Sequence, residues 1–212
     1  MKYGDLPTSL GTHEVDCREM MFYQYLPIKM KGDFGIKFED RLDCFKDIIQ
    51  VIYYDFIDSF GEINFLDHYI YVTAKHLYQS QFCSFNRPGL HSDGFMTNDI
   101  NYIWCNKYPT IFNKSNFDLS MDDKLSLEEM ALQAIPDNDI KFKENELLRL
   151  NQFNIHRVDT FLTGGMRAFL KVSFSKDKYD LIGNSHNYLM DYNWDMRERK
   201  QERNIPQSIL TK

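Results

Sequence analysis

The chain has 212 residues and a formal net charge of −6, which is enough for one domain with its own core. The acidic balance argues against a protein that tracks duplex nucleic acid through its phosphates. The opening MKYGDLPTSLG lacks the apolar stretch of a secretion signal and no apolar run reaches bilayer length, so a cytoplasmic protein without a membrane span is expected.

In chain order, MMFYQYLPIKM is rich in aromatic and apolar residues and reads as an early strand ending near Gly32. From Glu39 to Ser59, apolar residues recur at three- and four-residue steps (Leu42, Phe45, Ile48, Ile49, Ile52, Phe56). That spacing predicts an amphipathic helix over about 39–59, with Gly61 as its stop. HYIYVTAKHLYQSQFCSF carries too many β-branched and aromatic residues for a helix and reads as one or two strands before a turn at Arg87-Pro88-Gly89. INYIWC is a short strand. Residues 113–145 are acidic and turn-rich. SLEEMALQAI within them suggests a short helix with Ser126 as N-cap and Glu129 at the capping-box position. ELLRLNQFNIHRV reads as one strand. MRAFLKVSFS alternates cleanly, with Ala168, Leu170, Val172 and Phe174 on one face and Arg167, Phe169, Lys171 and Ser173 on the other. After Lys176 the pattern fades into a charged tail, expected to be loosely held over about 195–212. The four cysteines, Cys17, Cys44, Cys83 and Cys105, form no CxxC pair, so reduced thiols are expected rather than a zinc site or a disulfide framework. One long helix before a run of short strands points to an antiparallel sandwich or barrel with the helix packed outside.

The stretch NRPGLHSDGF puts His91 and Asp93 one residue apart after a turn. Alone, an HxD is as well explained by a polar surface loop. Two histidines follow, His156 and His186, each with an arginine eleven residues on, Arg167 and Arg197. Spacing does not choose between them, but local structure does. His156 ends the apolar segment on which Leu148, Leu150, Gln152, Asn154 and His156 share a face, and Arg167 opens the cleanest strand. His186 lies in GNSHNYLMDYNWDMRERK, where no strand pattern follows. Arg197 stands in a charge run, ordinarily a solvated face.

Together, His91-Ser92-Asp93, His156 and Arg167 resemble the HxD…H…R signature of the Fe(II)- and 2-oxoglutarate-dependent oxygenases, over roughly residues 69–175. The resemblance implies a double-stranded β-helix of jelly-roll type, occupying 1–212 as one domain with the helix at 39–59 as a buttress. It implies Fe(II) held by His91, Asp93 and His156. Two imidazoles and a carboxylate leave adjacent positions for a bidentate 2-oxo acid and dioxygen. His91 and Asp93, two apart on an extended strand, share a face, with His156 expected from a strand across the barrel. Arg167 would anchor the far carboxylate of 2-oxoglutarate through its planar fork, with Lys171 as fallback and Ser173 or Thr163 adding a hydroxyl. The implied reaction consumes 2-oxoglutarate, releases succinate and carbon dioxide, and hydroxylates a small molecule, nucleotide or protein side chain.

Phe95, Tyr102, Trp104 and Phe169 are candidates for the pocket wall, although core packing explains any one of them as well. The acidic insert 113–145 falls between the ligands in sequence, a position where inserts often become lids over a site. Two rivals stand beside this reading: a cupin-like metal enzyme without need of Arg167, and a non-catalytic jelly-roll binding module.

Overall fold

The structure, a computed structural model, describes residues 2–81, 88–159 and 163–199. It is mainly β, with two antiparallel sheets and a few helices. The strands are β1 (Thr8–Thr12), β2 (Met21–Lys29), β3 (Tyr69–Gln79), β4 (His91–Ser92), β5 (Ile100–Cys105), β6 (Ile111–Asn113), β7 (Asp139–Lys141), β8 (Glu146–Leu150), β9 (Ile155–Arg157) and β10 (Gly165–Ser175). The larger sheet runs β1-β8-β5-β10-β3-β2 and the smaller β4-β9-β6-β7. Four of the pairings are nested: β3 with β10, β4 with β9, β5 with β8 and β6 with β7. Among the described residues no helix is long and apolar enough to cross a membrane.

The expected amphipathic helix forms as a 3₁₀ turn, Asp40–Phe45, running into α1 (Lys46–Phe60). Gly61, at φ +84°, ends it, and a short α2 (Glu62–Leu66) follows. Ile48, Ile49, Ile52 and Phe56 on α1 bury against the larger sheet, where Phe56 stacks on Phe174 with ring centroids 3.9 Å apart. The Asp55 carboxylate holds the helix to the sheet by accepting from Tyr102 Oη and Arg149 Nη1, both at 2.8 Å. The alternation read in β10 holds: Ala168, Leu170, Val172 and Phe174 join the helix-side core. Arg167, Phe169, Lys171 and Ser173 therefore take the opposite face. Both faces of β3 and β10 are covered over Ile70–Ala74 and Leu170–Ser175, where every residue is buried.

Several expectations need correction. ELLRLNQFNIHRV is two strands in different sheets, β8 and β9. Asn151 and Asn154 cut it, because their side-chain oxygens accept from Phe153 N (3.0 Å) and Asn151 N (2.7 Å), offering the backbone a turn in place of a ladder. Helix α3 (Asp123–Gln133) begins three residues before the expected cap. Asp122 is the N-cap, accepting from Lys124 N and Leu125 N at 2.9 Å, and Ser126 is buried inside the helix. Glu129 reaches back instead to Ser120, accepting from its N and Oγ at 2.6 Å.

The insert is tied into the smaller sheet at both ends and packs on one of its faces. Its ends, Asn113 and Asp139, are paired in β6 and β7, and Met130 and Phe117 pack with Tyr3 and Ile155. Ile155 precedes His156 on one strand, so these contacts lie on the sheet face opposite His156.

The C-terminal segment is better anchored than its composition suggests. Ser185 and Gln24 exchange two hydrogen bonds, Ser185 N to Gln24 O (2.8 Å) and Gln24 N to Ser185 Oγ (2.9 Å). The fully buried Asn187 amide donates to Pro27 O and Lys37 O, both at 2.8 Å. Arg197 is exposed, as its charge run predicts, and makes a two-point surface contact with Asp180, and Arg199 donates to Asn184 Oδ1 at 2.6 Å. The tail beyond Arg199 lies outside the described residues, as do Cys83 and Arg87 of the predicted strand and turn. Cys17 and Cys44, read as unrelated thiols, face each other with Sγ atoms 3.0 Å apart.

Candidate metal centre

His91, Asp93 and His156 come together. Each presents a ligand atom within 4.8 Å of the other two, so the group could hold a metal ion. The expectation that His156 reaches in from across the barrel is corrected. It sits on β9 directly opposite His91 on β4, one antiparallel step away, with ring centroids 4.5 Å apart. Paired strands bring cross-strand side chains into contact on one face, and Phe112 of β6, paired with His156 on its other side, stands 5.5 Å from that ring.

Both imidazoles are oriented by the same device. His91 Nδ1 lies 3.0 Å from Gly89 O, and His156 Nδ1 lies 3.0 Å from Asn154 O. A carbonyl only accepts, so Nδ1 carries a proton in each and Nε2 is the atom left to face the centre. Metal-binding histidines are commonly fixed by such a bond. Asp93 follows the end of β4 in a turn that closes on Gly94, whose carbonyl accepts from Thr97 N (2.9 Å) and Thr97 Oγ1 (2.8 Å). Gly94 has φ +73°, and a Cβ there would meet Thr97 Oγ1 at 2.8 Å and Asp99 Cβ at 3.0 Å. Only glycine suits that position.

Zinc, for scale, holds imidazole and carboxylate donors at about 2.0–2.2 Å, which puts neighbouring donors roughly 3–3.5 Å apart. His156 Nε2 and Asp93 Oδ2 are 3.6 Å apart already, and all three donors lie within 4.8 Å, so that pair needs little contraction. One neighbour competes with an ion. Lys171 Nζ lies 2.8 Å from Asp93 Oδ2, and both side chains are largely buried. Burial alone would raise the Asp93 carboxyl. The Lys171 ammonium and the two imidazoles outweigh it and hold the carboxyl well below its usual range. Burial likewise lowers Lys171, and Asp93 more than restores it, so the ammonium is held above its ordinary value.

Arg167 lies on the same β10 face as Lys171 and is 3 % exposed. Its Nε donates to Lys107 O (2.8 Å), its Nη2 to Tyr108 O (3.2 Å), and its guanidinium lies 4.9 Å over the Phe169 ring. Among the described residues its buried Nη1 has no hydrogen-bond partner. Lys75, across from Phe169 on β3, was not read from the sequence as a site residue. Its ammonium is pushed down to about 8 by burial, then by the charges of Arg167 and Lys171. A lysine among apolar residues on an alternating strand was the available signal.

The other candidates divide. Phe169 is on the site face. Tyr102 and Trp104 face α1 instead: Tyr102 binds Asp55, and Trp104 Nε1 donates to His13 O and Asn145 O. On β5 the residues of the site face are Asn101, Ile103 and Cys105. Phe95 packs on Tyr3, outside the interior. Ser173 Oγ donates to Asn101 Oδ1 at 2.6 Å, and Thr163 is exposed and hydrogen-bonded to Tyr108 Oη at 3.1 Å, so neither hydroxyl is directed to the centre. His186 stacks on Tyr192 and does not join the group.

Compared with models of known protein families, with curated proteins and with solved structures, the chain matches none.

Proposed function

We propose that the chain is an Fe(II)- and 2-oxoglutarate-dependent oxygenase built on a double-stranded β-helix. The single observation that carries this reading is the meeting of His91, Asp93 and His156 beside a strand whose inward face bears Arg167. The nested pairings, alternating between two sheets, support the fold.

The donor set fits the metal: two imidazoles and one carboxylate suit iron(II) and leave positions open. The surroundings fit the co-substrate. Arg167 Nη1 is an orphaned, buried donor on a permanent cation, and a buried donor without a partner is costly. A carboxylate would satisfy it.

Bound iron(II) would supply oxygen activation coupled to loss of carbon dioxide from the 2-oxo acid. The chain's own part is positional. His91, Asp93 and His156 hold the ion on one side, Gly89 and Asn154 fix the two imidazoles, and Arg167 fixes the far end of the dicarboxylate. Phe169 and Phe112 keep water from the space between them.

A second reading is favoured by the 2.8 Å Lys171–Asp93 contact. In it the protein is a metal-free binding module whose lysine stands where an ion's charge would stand. Anaerobic calorimetry separates the two. The oxygenase reading expects one Mn(II) or Fe(II) per chain, lost in His91→Ala and His156→Ala, and 2-oxoglutarate binding to the loaded protein. Succinate release in the presence of a metabolite library then reports turnover. Absence of metal binding by the folded wild-type chain overturns the reading.

A further inference from the structure

We infer that a cavity beside the candidate centre binds a flat, uncharged or anionic aromatic group of one or two fused rings, and that this group belongs to the substrate. The second half rests on the oxygenase reading. The first half does not.

The cavity, about 220 Å³, lies between β2 and the anchored C-terminal segment, and Tyr25, Tyr179, His186, Tyr192, Trp194 and Met196 line it. The Ser185–Gln24 exchange and the buried Asn187 hold its two walls together. The segment is irregular yet tied at both ends, as recognition loops on a rigid scaffold are. The cavity lining leaves apolar side chains in water: Ile182 is 48 % exposed and Met196 41 %, and Tyr188, in ring contact with His186, is 83 % exposed. Apolar surface gathered around a concavity marks a binding site.

Shape and charge select the occupant. Tyr25 meets Tyr179 edge to face (83°), His186 stacks on Tyr192 (27°), and Tyr192 meets Trp194 at 55°. Rings set at different tilts offer a flat guest both face and edge contacts. An apolar cavity of about 150 Å³ takes benzene, so this larger space suits one or two fused rings. An organic cation, the usual guest of an aromatic cage, is disfavoured. Lys171 Nζ already lies 5.6 Å from the Tyr25 ring centre and Lys178 Nζ lies 5.8 Å from that of Trp194.

Tyr25 links cavity and centre. One side of it lines the cavity, and its ring also neighbours the ammonium that holds Asp93. Its backbone is left-handed, φ +48°, where the β2–β3 register shifts. A non-glycine residue in that region is a strained position that persists where its side chain is needed.

Ligand-observed NMR with the full chain tests this, using indole as the flat probe, cyclohexanol as a non-flat one and choline as a cation. Indole should bind with a Kd on the order of 1 mM or tighter, and the other two at least tenfold more weakly. Trp194→Leu should weaken indole about tenfold. Ile182→Glu, a surface change at the mouth, guards against misfolding of the first variant and should also weaken it severalfold. Mn(II) affinity should stay unchanged in both. Equal binding of cyclohexanol or choline, or indole affinity untouched in both folded variants, overturns the inference. Indole binding without any Mn(II) binding leaves the cavity standing and removes the oxygenase. Mn(II) binding without indole binding removes the cavity alone.

Discussion

Lys171→Met should tighten metal binding. In the structure the Lys171 ammonium sits 2.8 Å from the carboxylate oxygen that an ion needs. At an effective dielectric of about 20, two unit charges at that distance attract by roughly 6 kcal/mol. The pair is largely shielded from solvent, with side chains 10 % and 20 % exposed, so screening removes only part of this. An arriving divalent ion must break that attraction or accept a cation beside it, and either opposes binding. Rehydration of the released lysine offsets much of the gross figure. A net gain of about 1.4–2.7 kcal/mol, or 10- to 100-fold in Kd, is expected for the methionine variant. Calorimetric titration with Mn(II) under argon measures it. Lys171→Arg keeps the charge and should show no gain. Removing one partner of a buried pair costs about 3–5 kcal/mol. The metal-free methionine variant should therefore melt about 5–20 °C lower, with the loss recovered on adding Mn(II). A folded Lys171→Met protein that binds Mn(II) no tighter than wild type would refute the reasoning.

Arg167→Ala should leave Mn(II) affinity nearly intact and weaken 2-oxoglutarate by about two to four powers of ten, with Arg167→Lys recovering only part; calorimetry on the metal-loaded variants checks both. Gly94→Ala forces a Cβ to within 2.8 Å of Thr97 Oγ1, so it should shift Asp93 and weaken Mn(II) at least tenfold while 15N spectra show the sheets unchanged. Asn187→Ala leaves the buried Pro27 carbonyl and the part-buried Lys37 carbonyl without their donor, at about 1–3 kcal/mol for the buried one, and urea unfolding should show the loss. Treatment with oxidised glutathione should join Cys17 to Cys44, each thiol giving up a proton and an electron as the disulfide reagent is reduced. Thiol titration should then count two fewer thiols, and Cys44→Ser should abolish the change.

Legibility followed burial. The β10 alternation was readable because one face is wholly apolar and the other carries Arg167, Lys171 and Ser173. The same test failed on β5. There the sheet is covered on both sides, Ile103 and Cys105 are as apolar as Tyr102 and Trp104, and aromatic character pointed to the wrong face. The choice of His156 over His186 rested on strand context, and the structure brings His156 to the centre. The break at Asn151–Asn154 was visible in principle, since paired asparagines favour turns. The C-terminal segment was not, because side-chain bonds to distant backbone hold it and these leave no periodicity.

The nested strand pairing has a consequence for how the chain reaches this state. Tyr69 pairs with Ser175 at the two ends of the nest, whereas β6 and β7 close the innermost turn. Contacts so distant in sequence repay their loop-closure entropy late and make folding slow. The inner hairpin is therefore the natural starting point, and closure proceeds outward through β5·β8 and β4·β9. His91 and His156 belong to the β4·β9 step, so the ligand group does not exist until most of the chain has been committed. An ion captured there would grip only the finished molecule. The connection between β6 and β7, which carries α3, lies inside every pair of the nest, so chain added there lengthens the loop that each of them must close.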